Sequence, residues 1–121
     1  MTRTGKASAA AMALILGLAL SACGDDQGTD TPPAPKTIQV TISGDTVTPN
    51  GERVEVEQGQ AVELVITADA PGGIHVHADP EQELDYEAGT TTVTIDGIDQ
   101  PGIVDVEAHE LDLVIVQLEV R

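Results

Sequence analysis

The sequence predicts an all-β domain over residues 37–121, a Greek-key β-sandwich of about seven or eight short strands. Three observations predict it. From Ile38 to Val120 apolar residues alternate with polar ones, the period of a half-buried strand. Clusters of Gly, Pro, Asn and Asp separate the alternating stretches, and no stretch between them carries a 3.6-residue apolar repeat. Strands this short at this spacing are what a two-sheet sandwich is built from.

The strands follow in order. Ile38, Val40 and Ile42 alternate with Thr37, Gln39 and Thr41. Val54 and Val56 alternate with Glu55 and Glu57, and Val62, Leu64 and Ile66 with Glu63, Val65 and Thr67. Ile74 and Val76 alternate with His75 and His77, and Val93 and Ile95 stand among threonines. Val104, Val106 and Ala108 alternate with Asp105, Glu107 and His109, and Val114, Val116, Leu118 and Val120 close the chain. Turn chemistry falls between them at Gly44-Asp45, Pro49-Asn50-Gly51, Gly59, Pro71-Gly72-Gly73, Asp96-Gly97 and Pro101-Gly102. The acidic segment from Asp79 to Glu87 reads as a solvated loop, with Leu84 and Tyr86 packing down from it.

Residues 1–22 read as an export signal. Arg3 and Lys6 give a basic start, Ala9–Leu20 is apolar, and small residues precede Cys23. The apolar run is shorter than the roughly 20 residues that span a bilayer. Leu20-Ser21-Ala22-Cys23 resembles the bacterial lipobox, which implies cleavage before Cys23 and a diacylglyceryl group on its thiol. The expected location is the extracytoplasmic face of the cell membrane. Residues 23–36 read as a flexible linker rich in Asp, Gly, Thr and Pro. Its twelve residues from Gly24 to Pro35 could reach about 40 Å when fully stretched.

Charge and composition narrow the function. All 21 acidic residues lie after Cys23, against only Lys36, Arg53 and Arg121, so the exported side chains sum to −18. Tyr86 is the only aromatic residue of the 121. Such a surface repels phosphate backbones and offers no stacking platform, which excludes nucleic acid as a partner. It suits cations or basic partners, and it also serves as a solubilising shell. One cysteine excludes an intramolecular disulfide. Catalysis finds no footing: Ser43 is the only serine after Cys23, and Gly72-Gly73 leads into a strand rather than a helix that could hold a phosphate.

The order of short motifs resembles the cupredoxin family, and among its branches the EfeO-type domain. Ile38–Ile42, Val47-Thr48-Pro49, Val54–Val56 and Gly59–Leu64 are similar to the first half of such domains. Gln100-Pro101-Gly102 followed by Val104–Val106 and a closing strand is similar to the second. The resemblance implies that the Pro-Gly strand delivers a copper-ligating Cys, and that position falls on Ala108 here. No Met follows it, and the only Cys is Cys23. A blue-copper site needs a thiolate with two His, so none is expected.

The candidate metal ligands are therefore His75, His77 and His109. His75 and His77 are two apart on a strand, so both rings leave one face with Cβ atoms about 7 Å apart. Imidazoles so placed can converge on Cu(II) or Zn(II). The resemblance implies that the first-His strand and the Cys strand are antiparallel neighbours, which would bring His109 to the pair, with Glu107, Glu110 or Asp79 nearby. By the same parity Ile74 and Val76 fill the core and the His pair points outward, which also fits a solvated surface with no ligand. The expectation is a non-enzymatic, lipid-anchored binding module that holds or hands over a metal ion. The alternative is a metal-free adaptor for another envelope protein.

Overall fold

The computed structural model describes residues 31–121. The expected export signal, Cys23 and most of the expected linker lie outside the described residues. The domain is all-β, with nine strands and a single 3₁₀ turn among the described residues. The strands are β1 (Lys36–Ser43), β2 (Thr46–Thr48), β3 (Glu52–Val56), β4 (Val62–Ala68), β5 (Gly72–Val76), β6 (Gln82–Tyr86), β7 (Gly89–Ile95), β8 (Gly102–Ala108) and β9 (Leu113–Val120). The 3₁₀ turn, His109–Leu111, links β8 to β9.

They form two mixed sheets, ordered β2-β1-β4-β7 and β3-β9-β8-β5-β6. β1 runs parallel to β4, and β3 runs parallel to β9. Neither pairing joins consecutive strands, and β3–β9 ties the first half of the domain to its end. The alternation read from the sequence is the alternation of burial. Ile38, Val40, Ile42, Val62, Leu64 and Ile66 face inward from one sheet, and Ile74, Val76, Val104, Val106 and Leu118 from the other. Every fully buried side chain among the described residues is hydrophobic, and no buried polar side-chain atom lacks a hydrogen-bond partner. Each such aliphatic side chain contributes about 1.5–3 kcal/mol by leaving water.

Two local expectations are corrected. The acidic segment 79–87 is not a loop throughout. Gln82–Tyr86 forms β6 and pairs antiparallel with β5, because Leu84 and Tyr86 supply the inward residues of an edge strand while Glu83 and Asp85 face solvent. Tyr86 is buried at 4% exposure. In β9 the alternation breaks: a register shift opposite Val106 and Glu107 admits one extra residue, and Ile115 and Val116 are both buried. Such a bulge lets one strand turn two consecutive side chains toward the core.

The two outer faces differ in chemistry. On the first sheet, Thr41, Thr67 and Thr90 stand abreast across β1, β4 and β7, and Glu63 is the only charged residue facing outward from the strand interiors. On the second sheet the outward positions of β5, β6 and β8 include His75, Glu83, Asp85, Asp105 and Glu107, with the exposed Ile103 toward the start of β8. That second face carries the histidines.

Candidate metal centre

β5 is an inner strand, paired to β6 on one side and β8 on the other. Ile74 and Val76 are buried, so the strand's period of two turns His75 and His77 outward. Cross-strand neighbours then surround His75 with carboxylates, since its register partners are Glu83 on β6 and Glu107 on β8. The backbone N–H of His77 donates to the Asp105 carbonyl at 3.0 Å, which extends the β5–β8 ladder past Val76. Both imidazoles are therefore mounted on a hydrogen-bonded sheet rather than on a loop.

The rings of His75 and His77 lie 4.3 Å apart, centroid to centroid, tilted by 37°. His75 Nε2 stands 3.2 Å from Glu81 Oε2. His75, His77 and Glu81 each offer one donor atom, and the three atoms lie within 4.8 Å of one another. His77 Nε2 is 2.8 Å from Glu107 Oε2. That hydrogen bond raises the His77 pKa above its ordinary value; burial opposes the shift, and the charges of Glu107, Glu81 and Asp105 add to it.

His109 begins the 3₁₀ turn that follows β8. Its ring is 6.2 Å from that of His75 and nearly edge-on to it. The antiparallel pairing of β5 with β8 does bring His109 beside His75, but His109 stands outside the close three-donor group. Glu81 takes its place there. Glu81 went unnoticed in the sequence because the segment 79–87 reads as a solvated loop; pairing of β6 onto β5 is what folds the turn back over His75. Glu110 is committed elsewhere, since both its oxygens accept the Gly73 N–H, at 2.9 and 3.1 Å. Asp79 lies in the exposed turn after β5 and is not one of the group. A cleft of ≈ 130 Å³ adjoins the site, with His75, His109, Glu83 and Glu110 among its lining residues.

A blue-copper centre does not fit these residues. Ala108, where the family resemblance implies the ligating Cys, is fully buried opposite Ile74. No Cys or Met stands among the described residues. The donors present are imidazole nitrogens and carboxylate oxygens, the set that suits Zn(II) or Cu(II) with one position left open.

No protein-family model matches the chain, and no curated protein matches it in sequence. Solved structures do match in fold. A structure of an amicyanin mutant with Cu(I) aligns at a TM-score of 0.50 and 11% identity, covering 70% of this chain and 82% of that one. A purple cupredoxin from Nitrosopumilus maritimus aligns at a TM-score of 0.46 and 14% identity, covering 69% of this chain and 98% of that one. A blue copper oxidase from Nitrosomonas europaea aligns at a TM-score of 0.39 and 18% identity, over 62% of this chain and 34% of that one. The amicyanin likeness, together with the strand order above, makes this domain a cupredoxin-like β-sandwich. At such identity the likeness is one of fold.

Proposed function

We propose that the chain is a lipid-anchored extracytoplasmic protein whose cupredoxin-like domain binds a divalent transition metal, Cu(II) or Zn(II), and hands it on. The observation that carries this reading is the convergence of His75, His77 and Glu81 donors within 4.8 Å on the open face of a sheet. Two neutral imidazoles and a carboxylate are a sufficient protein set for either ion, with the fourth position open to water or to an incoming ligand. The role is transfer rather than electron transport, because the soft thiolate of a blue-copper site is missing. No residue is assigned a catalytic part. The anchor is the lipid expected on Cys23, and residues 23–36 are the expected tether.

Calorimetric titration of the full-length chain in detergent with Cu(II) and with Zn(II) tests the metal reading. The expected result is one ion per chain at micromolar or tighter affinity, lost in the His75→Ala/His77→Ala variant. Absence of binding, or binding untouched by that variant, overturns it. Mass spectrometry of the membrane-extracted protein tests the anchor; an unlipidated N-terminus, or one upstream of Cys23, refutes it. The acidic outer face of the second sheet favours a second reading, an adaptor that meets a basic envelope protein without metal. Its mark would be partner binding that survives His75→Ala/His77→Ala.

A further inference from the structure

Five carboxylates stand around the histidine strand, Glu83 in register with His75 among them, and the contacts of the other four give each a different task. Asp105 Oδ1 accepts from Gln117 Nε2 at 3.0 Å. Glu110 holds the Gly73 N–H. Glu81 belongs to the three-donor group and projects from the turn before β6, with 63% of its side chain exposed. Glu107 touches a histidine and yet stands outside the donor group.

The two His–Glu distances separate the tasks further. Two ligands on a tetrahedral ion, with bonds of ~2.0–2.2 Å, stand ~3.3–3.6 Å apart. The 3.2 Å between His75 Nε2 and Glu81 Oε2, a long hydrogen bond in the metal-free chain, is close to such an edge. The 2.8 Å between His77 Nε2 and Glu107 Oε2 is shorter, the distance of a charge-assisted N–H···O bond. Glu107 is also the better anchored of the two: it sits within β8, its side chain is 28% exposed, and the His77 N–H to Asp105 carbonyl bond locks the end of β5 against the same strand.

We propose that Glu107 is the positioning residue of this site: it accepts the Nε2 proton of His77, and so presents Nδ1 of that ring as the lone pair facing the metal. An imidazole has two nitrogens, and only the one without a proton can ligate. Which one that is follows from the hydrogen bond the other makes. With Nε2 engaged by Glu107, the ring orientation and the tautomer are set before the ion arrives. His77 then binds through Nδ1, while His75, whose Nε2 faces Glu81, binds through Nε2. The site is thus asymmetric, although its two imidazoles lie two residues apart, one on β5 and one directly after it. This assignment rests on the metal reading above and deepens it.

The test has two arms, both on the full-length chain in detergent. In the metal-free protein, nitrogen-15 NMR at a pH above the His77 titration reads the tautomer directly. The expected signature is the Nε2–H form of His77 in the wild type and in Glu107→Gln, whose amide oxygen still accepts, and a mixture in Glu107→Ala. A wild-type His77 in the Nδ1–H form overturns the proposal whether or not metal binds. In the second arm, Zn(II) titration compares Glu107→Ala, Glu107→Gln and Glu83→Ala. Affinity is expected to fall 10–100-fold in Glu107→Ala. Most of it returns in Glu107→Gln, and Glu83→Ala, which deletes a charge beside His75 and no bond to His77, changes little. Equal losses in Glu107→Ala and Glu83→Ala, or a Glu107→Gln as weak as Glu107→Ala, would reduce Glu107 to bulk charge and overturn the proposal. A wild type that binds no Zn(II) overturns the metal reading instead. Unfolding curves of each variant accompany the titration, and the near-isosteric Glu107→Gln keeps the comparison decisive if Glu107→Ala folds poorly.

Discussion

Gly72→Ala puts the packing beneath the histidine strand to a numerical test. Gly72 opens β5 and stands in register with Tyr86 of the edge strand β6. The phenol ring lies over the glycine. A methyl group added at Gly72 would press on Tyr86 Oη and come within 2.7 Å of Tyr86 Cζ and of Glu110 Oε2. The backbone of Gly72 is not in the left-handed region, so alanine can adopt it and the cost is steric alone. Tyr86 is 4% exposed and has no room to swing aside without breaking its own packing. Overpacking of this kind costs about 1–3 kcal/mol. Release of Glu110 from the Gly73 N–H adds to the loss, and the stiffer unfolded chain of the alanine variant returns about 0.4–1 kcal/mol. The net expectation is a loss of about 2 kcal/mol, which for a domain of this size lowers Tm by about 8–16 °C. Urea and thermal unfolding followed by far-ultraviolet circular dichroism measure it. Tyr86→Phe removes the closest clashing atom, so the double variant should recover at least about 0.5 kcal/mol relative to the sum of the singles. A Gly72→Ala protein within about 0.5 kcal/mol of wild type, or a strictly additive cycle, refutes the packing described for this strand.

Gly97→Ala should be worse than Gly72→Ala, because its methyl group meets the backbone of Gly59, including Cα at 2.8 Å, where Gly59 also donates to the Ile98 carbonyl; a smaller loss of stability in the same urea assay would contradict that close approach. Leu64→Ala, at the fully buried centre of β4, is expected to cost about 2.7–5 kcal/mol with an unchanged m-value, and a cost under 1 kcal/mol would mean that the sheets pack less closely there. The His77 pKa is raised above its ordinary 6.5, first by the Glu107 hydrogen bond, so in the metal-free chain this pair's stabilisation is complete below pH 6.5 and is lost as pH rises through the raised value. Urea unfolding across that window should show the decline in wild type and a smaller one in Glu107→Gln; identical profiles would argue against the pair. Metal affinity should move the other way over the same window, rising with pH as the proton on His77 ceases to compete.

Much of the sandwich was legible in the sequence because one face of nearly every strand is buried, and burial writes a period of two. Ile38, Val40 and Ile42 or Val104, Val106 and Ala108 declare their strands without help. β6 did not, because it is an edge strand whose outward residues are acidic and whose inward ones, Gln82, Leu84 and Tyr86, are too varied to show a period. β2 is only three residues long and left no pattern beyond Val47. The extra residue at Ile115 was invisible because an all-apolar run, Leu113–Val116, hides a shift of register. The same blindness at β6 concealed Glu81. His75 and His77 were legible as a pair facing one way. The sequence spoke for His109 through the strand pairing implied by family resemblance, yet local backbone direction carries its ring to the edge of the group. Glu107 was visible only as a neighbour; that it holds Nε2 of His77 is a matter of side-chain geometry.

Tyr86 has a consequence for how the molecule can be watched. It is the only aromatic residue in the chain, and Trp and Phe are absent. All intrinsic fluorescence and nearly all absorbance at the long-wavelength end of the near ultraviolet therefore come from one phenol, buried in the strand that pairs with the histidine strand. Its hydroxyl is held above the ordinary titration range, first by burial and then by the charges of Glu110 and Asp69. The chain thus carries a single native reporter beside its candidate site. A paramagnetic ion such as Cu(II) bound there would dim that emission, whereas diamagnetic Zn(II) would leave it lit, so the two ions could be told apart without attaching a dye.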